Sequence, residues 1–119
     1  MREPVSESRE TTFPQDIDDP DDQEHALRRL AGRLYDALEG QGRRGRTVGI
    51  KVRLADFSTI SRSRTLSTPV DDAELLADTA VAMLREYGPE QPVRLLGVRM
   101  ASLELVDGPG VQLTLPWAP

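Results

Sequence analysis

Residues 46–66, RTVGIKVRLADFSTISRSRTL, decide the fold of this chain. A period of two in the first half is typical of a β-strand with one buried face and one solvated face. A short connection around Asp56 and Phe57 separates it from a second extended run, so the stretch predicts an antiparallel hairpin. The apolar side of the first strand comprises Val48, Ile50, Val52 and Leu54, and the polar side Thr47, Gly49, Lys51 and Arg53.

The second strand of the hairpin is polar on both sides and strongly basic. Arg62 and Arg64 share one side, and hydroxyl residues share the other. Residues 43–66 hold seven basic side chains and one acid, in a chain whose net charge is −5. Guanidinium groups, hydroxyls and strand amides all donate hydrogen bonds to phosphate oxygens, so this pattern favours phosphate binding. The alternative interpretation is a solvated strand face with incidental arginines.

Length and composition limit the class of protein. The 119 residues suffice for one domain with a core. The absence of cysteine excludes disulfides and thiolate metal sites. No apolar run approaches the ~20 residues that span a bilayer, and the amino terminus has no apolar export segment. We therefore expect a cytoplasmic protein without a membrane partner. Acids dominate residues 1–24 and 67–91, so the charge should be polarised around a basic sheet region.

The remaining segments supply the other elements. A last strand is predicted over 92–105. Residues 4–13 have a poor apolar signal and are predicted as a strand, with Phe13 as a core anchor, mostly from a family resemblance. Helices are predicted over 22–39 and 72–87, each opened by an Asp–x–x–Glu cap at Asp21 and Asp71. Their apolar stripes recur at helical spacing: Leu27, Leu30, Ala31, Leu34 and Leu38 in the first, and Leu76, Ala80, Met83, Leu84 and Tyr87 in the second.

The resulting order is strand, helix, strand, strand, helix, strand. This β-α-β-β-α-β order predicts an α+β fold of the ferredoxin-like, split β-α-β type. We expect a four-stranded mixed sheet, antiparallel in type, with two helices on one face and a polar face left for binding.

The carboxyl-terminal residues follow a break at 107–110 that has no periodicity. Apolar residues then occupy every second position, at Leu113, Leu115 and Trp117. The sequence ends two residues after Trp117. We interpret them as the anchors of an extended peptide that fills pockets on a partner, with a strand folded back on the domain as the alternative.

Three segments together resemble one known family. KVRLADFSTISRSRTL, a helix and PVRLLGVRMASL are similar to the little-finger domain of Y-family, DinB-type DNA polymerases, the DNA polymerase IV group. QLTLPW resembles the sliding-clamp-binding peptide that ends many of these enzymes. The resemblance covers about 4–117. In the first strand the family pattern is kept at Ser6, Glu10, Thr12 and Phe13 but not at Val5, Glu7 and Ser8, which puts a basic contact from this strand in doubt.

The resemblance implies which residues bind which partner. Residues 1–107 would be the DNA-binding domain and 108–119 a flexible tail with the clamp-binding peptide. Arg94 and Arg99 are implied as phosphate contacts, although closing the core edge is the alternative. The full predicted DNA-binding set is Arg46, Lys51, Arg53, Thr59, Ser61, Arg62, Ser63, Arg64, Thr65, Arg94 and Arg99. The predicted clamp-binding set is Gln112, Leu113, Leu115, Pro116 and Trp117, where Pro116 breaks the five-residue peptide form and Trp117 suits the six-residue form.

The function that the resemblance implies is backbone binding of primer–template DNA without sequence preference, together with tethering to the sliding clamp, the β subunit of DNA polymerase III. We expect no catalytic residue and no cofactor in this chain, with Mg²⁺ held in the absent palm of a parent translesion DNA polymerase that acts in DNA repair. The alternatives are a clamp adaptor from a catalytically inactive Y-family relative and a free-standing ferredoxin-like nucleic-acid-binding module. RNA readers of this shape present aromatic side chains on the sheet, and the hairpin offers only Phe57.

Overall fold

The computed structural model describes residues 6–106. Two helices and a four-stranded sheet form the body of the domain, and a two-stranded sheet lies beside it. In chain order the elements are β1 (Ser6–Ile17), α1 (Pro20–Gly40), β2 (Arg43–Arg44), β3 (Thr47–Leu54), β4 (Thr59–Thr65), α2 (Ala73–Tyr87), β5 (Val93–Ala101) and β6 (Glu104–Leu105). Neither helix is long and apolar enough to cross a membrane within this part of the chain.

The main sheet has the order β1-β5-β3-β4, and each neighbouring pair is antiparallel. Helix α1 connects β1 to β3 with β5 between them, and α2 connects β4 to β5 with β3 between them. Both crossovers are therefore split, which confirms the predicted α+β class, the element order and the hairpin of β3 and β4. Strands β1 and β4 become the edges of the sheet.

The core lies between the two helices and one face of the sheet. Both predicted helical stripes are confirmed as buried, except for Tyr87, which is only partly buried. Phe13 of β1 is also partly buried and packs against the core. The apolar row of β3 is buried beneath the helices. Each large aliphatic side chain in this layer stabilises the fold by about 2 kcal/mol through removal of apolar surface from water.

The predicted helix caps were wrong by one or two residues. Asp19, not Asp21, caps α1, and its Oδ1 accepts a hydrogen bond from the Asp21 amide at 2.9 Å. Pro20 follows at the first helical position, where its fixed φ is compatible with the helix. Likewise Asp72, not Asp71, caps α2. Any of several neighbouring aspartates has a side chain suited to capping a helix. Only the backbone geometry decides which aspartate is the N-cap residue.

The terminal strands also differ from their predicted bounds. β1 continues to Ile17, four residues beyond the predicted end. The predicted last strand breaks at Ser102, which has a left-handed φ of 56°. The chain then pairs Glu104–Leu105 with Arg43–Arg44, forming the small second sheet that the sequence did not predict.

Ion pairs join the exposed sides of the helices. Arg85 donates two hydrogen bonds to the Glu24 carboxylate, at 2.7 and 2.8 Å, and this lowers the pKa of Glu24. Arg28 lies 2.8 Å from Asp78 on the same pair of helices. Both pairs lie at the surface, where water and salt weaken ion pairs, so they mainly orient the helices.

Candidate nucleic-acid interface

The cross-strand register divides the sheet residues between two faces. Successive side chains of a strand point to opposite faces, and directly paired residues share a face. The helix face carries the core rows of β3 and β5. The opposite face, which we call the open face, comprises Ser6, Ser8, Glu10, Thr12, Thr47, Gly49, Lys51, Arg53, Thr59, Ser61, Ser63, Thr65, Leu95, Gly97, Arg99 and Ala101.

Hydrogen-bond donors dominate the open face. Its cations are Lys51, Arg53 and Arg99, and its carboxylate is Glu10. Lys51 Nζ lies 3.3 Å from Glu10 Oε1, and Arg53 Nε donates to the Thr59 hydroxyl at 2.9 Å. Arg99 is exposed and has no carboxylate within ion-pair distance among residues 6–106. Two of the three cations, Arg53 and Arg99, therefore have no carboxylate partner among residues 6–106, which leaves them able to bind an anion.

Two glycines create a hollow in the middle of the open face. Gly49 and Gly97 occupy central strands beside Arg99 and Lys51, and the hollow they floor has a volume of about 380 Å³. Ser63 also lines it. Because the glycines have no side chains of their own, they leave room at the floor of the hollow between the flanking side chains.

The predicted pair Arg62 and Arg64 lies on the other side of the sheet. These residues pair with Ile50 and Val48, whose side chains are in the core, so they extend from the sheet edge on the helix side. Arg64 bonds the Glu86 carboxylate of α2, and the Arg62 guanidinium lies 5.4 Å from the centroid of the Tyr87 ring. The structure confirms that the two arginines share a side, but it does not bring them together with the open-face cations.

Arg46 and Arg94 also lie apart from the open face. Arg46 precedes β3 and is exposed. Arg94 is the extra residue of a β-bulge, because Leu54 pairs with Val93 while the residue before it pairs with Leu95. Its guanidinium lies 3.3 Å from Asp16 and 4.3 Å from the centroid of the Phe57 ring. Arg94 therefore lies against Asp16 and Phe57 at one end of the sheet, and its role as a phosphate contact stays a prediction.

The hairpin turn between β3 and β4 is tightly organised. Phe57 adopts a left-handed φ of 72° and exposes 64% of its surface. Asp56 Oδ1 accepts hydrogen bonds from the hydroxyl and the amide of Ser58, at 2.6 and 2.9 Å. These bonds, with one from the Gln91 side chain, lower the pKa of Asp56 to about 2. The carboxylate thus fixes the turn that sets the register of the hairpin.

Sequence reasoning missed the contribution of β1. Ser8, Glu10 and Thr12 complete the open face, and their period-two spacing was visible in the sequence. The missing information was the pairing of β1 with β5, which places these three residues beside Leu95, Gly97 and Arg99.

The described residues also bear on whether metal-ligating side chains are grouped together. No group of three His, Cys, Asp or Glu side chains in 6–106 could hold a metal ion. The predicted clamp-binding residues 112–117 lie outside the described residues.

Comparison with known proteins identifies one family. The model of the impB/mucB/samB family C-terminal domain matches residues 4–115. DNA polymerase IV of Gluconobacter oxydans (strain 621H) is 35% identical over 109 residues, which is 91% of this chain and 31% of that protein. DNA polymerase IV of Methanoculleus marisnigri (strain ATCC 35101 / DSM 1498 / JR1) is 41% identical over 97 residues, or 82% and 27%. The chain thus spans less than a third of these curated relatives.

The fold is shared with solved structures at lower identity. A Y-family DNA polymerase chimera, Dbh-Dpo4(243-245)-Dbh, has a TM-score of 0.77 at 16% identity, covering 87% of this chain and 30% of the chimera. DinB from Sulfolobus solfataricus has a TM-score of 0.72 at 15% identity, covering 85% and 29%.

Proposed function

We propose that this chain, which belongs to the impB/mucB/samB family of C-terminal domains, is the little finger of a translesion DNA polymerase. In this role it would grip primer–template DNA. The open face would bind backbone phosphates on the duplex without sequence preference. Residues 112–117 would tether the enzyme to the sliding clamp.

The observation that carries the DNA-binding proposal is the excess of positive charge on the open face. This face holds Lys51, Arg53 and Arg99 against one carboxylate, Glu10. Of these three cations, only Lys51 lies within ion-pair distance of a carboxylate among residues 6–106. An anion on the open face can therefore contact several cations while displacing a single ion pair.

The chemistry of the open face also favours backbone contacts over base recognition. Serine and threonine hydroxyls alternate with the cations, and such donors commonly contact phosphates. No aromatic side chain is among the open-face residues for base stacking. The expected outcome is sequence-tolerant binding that weakens steeply with salt, because phosphate contacts release counterions.

The direct test removes the open-face charge. The K51Q/R53Q/R99Q variant of the 119-residue chain should lose most of its affinity for a fluorescein-labelled primer–template duplex in an anisotropy titration. Each lost phosphate contact should also flatten the slope of log affinity against log salt by about 0.9. Affinity equal to wild type, with an unchanged circular dichroism spectrum, would show that DNA binds elsewhere or not at all.

The tethering proposal is supported by the sequence of the carboxyl-terminal residues. Gln112, Leu113 and Leu115 match the clamp-binding peptide, and Trp117 supplies a further apolar anchor. Val106, the last described residue, donates its amide to the Gly42 carbonyl at 2.7 Å. So few anchors predict exchangeable binding, on the order of micromolar.

The remaining proposals concern the parent protein. We propose that it is a DNA-directed DNA polymerase, holds Mg²⁺ in its palm, and acts in DNA repair in the cytoplasm. The family match supports this assignment over a free-standing module. A catalytically inactive clamp adaptor would differ by lacking the palm carboxylates, so the upstream sequence distinguishes these two forms of the parent.

A further inference from the structure

An ion pair spans the central hollow of the open face. Glu10 on β1 and Lys51 on β3 are both paired with Gly97, which lies on β5 between them. Their charged atoms meet above this glycine at 3.3 Å. A Cβ atom at Gly97 would lie 3.1 Å from Glu10 Cβ and 3.5 Å from Lys51 Cβ, so a larger residue would occupy the space that the bridge crosses.

This ion pair is accessible and easily exchanged. The side chains of Glu10 and Lys51 expose 49% and 41% of their surface. Ion pairs with this exposure are weak, since water and salt compete with them. A phosphodiester oxygen carries the same kind of negative charge as a carboxylate oxygen and makes the same charge-assisted hydrogen bond with an ammonium group.

We propose that Glu10 is an internal competitor of the DNA backbone: in the free protein its carboxylate occupies the place beside Lys51 that a phosphate takes when DNA binds. This inference rests on the proposed function, because it assigns a restraint to the same open face. Lys51 exchanges one anion for another on binding, and Gly97 provides the room for both. Glu10 thereby limits the affinity of the face and keeps the domain exchangeable on DNA.

Two other roles for Glu10 give different results. If Glu10 instead orients Lys51 toward a phosphate, its removal weakens binding. If Glu10 only repels DNA at a distance, its removal strengthens binding whether or not Lys51 is present. Competition for Lys51 is the arrangement in which the gain depends on the lysine.

The experiment measures duplex affinity for E10Q, K51Q and E10Q/K51Q in the full 119-residue chain. The probe is a fluorescein-labelled 16-base-pair duplex of arbitrary sequence, titrated at several salt concentrations. We expect E10Q to bind about fivefold tighter at low salt, the ratio that corresponds to an exposed ion pair of about 1 kcal/mol. Its salt slope should stay close to that of wild type, because Lys51 contacts a phosphate in both complexes. E10Q/K51Q should bind like K51Q.

The matched control is E7Q. Glu7 lies on the same strand, and removing it changes the net charge equally, but it pairs with Arg9 on the opposite face. We expect E7Q to change affinity by less than twofold. An E10Q affinity equal to or below wild type overturns the proposal, as does a gain of the same size in the K51Q background or in E7Q.

Amide chemical shifts separate this proposal from the one on which it rests. If the duplex perturbs the amides of β3 and β5 around the hollow but E10Q brings no gain, the competitor role fails and DNA binding by the open face stands. If the duplex leaves those amides unperturbed, DNA binding by the open face fails, and the competitor role fails with it.

Discussion

Arg64 Nη2 lies 2.8 and 2.9 Å from the two carboxylate oxygens of Glu86, so this arginine of the hairpin is bound to helix α2. The sequence grouped Arg64 with the other cations as a DNA contact, and that assignment stays a prediction. Arg99 lies on the opposite face of the sheet. Substitution of either Arg64 or Arg99 by glutamine removes one positive charge, so the two variants compare the two faces of the sheet directly.

R99Q should weaken duplex binding more than R64Q. We expect about a fivefold loss for R99Q, equivalent to roughly 1 kcal/mol for one exposed charge contact, and less than twofold for R64Q. The reason is that Arg99 has no carboxylate partner within the described part of the chain, whereas Arg64 must first give up Glu86. Anisotropy titrations at one low salt concentration measure both. Equal losses would indicate that the edge of β4 contributes as much as the open face.

Removal of the carboxyl-terminal peptide should separate clamp binding from folding. Truncation before Gln112, or Q112A alone, should abolish binding to an immobilised sliding clamp in surface plasmon resonance. The truncated chain should keep its thermal unfolding midpoint, because the buried cluster of the described core runs from Ala26 to Met100, and the side chains packed against it lie within 13–103. Undiminished clamp binding by the truncated chain would refute the peptide assignment, and a lower midpoint would instead support the folded-back strand.

Substitutions at two glycines should change stability in opposite directions. Gly32 lies inside α1 with open space around its missing side chain, so G32A should stabilise by about 0.5–1 kcal/mol through helix propensity. At Gly45 a Cβ would lie 2.6 Å from the Ala101 carbonyl oxygen, so G45A should destabilise by about 1–3 kcal/mol. Urea denaturation measures both. Destabilisation by G32A, or a neutral G45A, would contradict the packing described for that site.

The pH dependence of the hairpin turn follows from Asp56. Ser58 and Gln91 bond its ionised form and hold its pKa at about 2, below its value in the unfolded chain. The stabilisation is therefore present above the unfolded pKa near ~3.9 and is lost as pH falls toward 2. A carboxyl carbon NMR titration should give a midpoint near 2. S58A should raise that midpoint, since the hydroxyl bond is the largest cause, and an unshifted midpoint in both proteins would contradict the turn geometry.

Much of the fold was predictable because its signals are local. The alternation in 46–66 and the helical stripes that include Leu34 and Leu84 depend only on the period of each element, and all of them are confirmed. The caps at Asp19 and Asp72 were mispredicted because neighbouring acids are chemically equivalent. The β2–β6 pairing was missed because two-residue strands have too few positions to show a period.

The sequence by itself determined the order of elements, the apolar faces and the concentration of positive charge in the hairpin. Only the tertiary structure decided which side of the sheet each cation occupies. Strand β4 has no full apolar row, so its sequence does not say which side lies toward the helices. That choice is made when Arg62 and Arg64 pair opposite the buried side chains of β3. Likewise, Glu10 meets Lys51 only because long-range pairing places β5, with Gly97, between their strands.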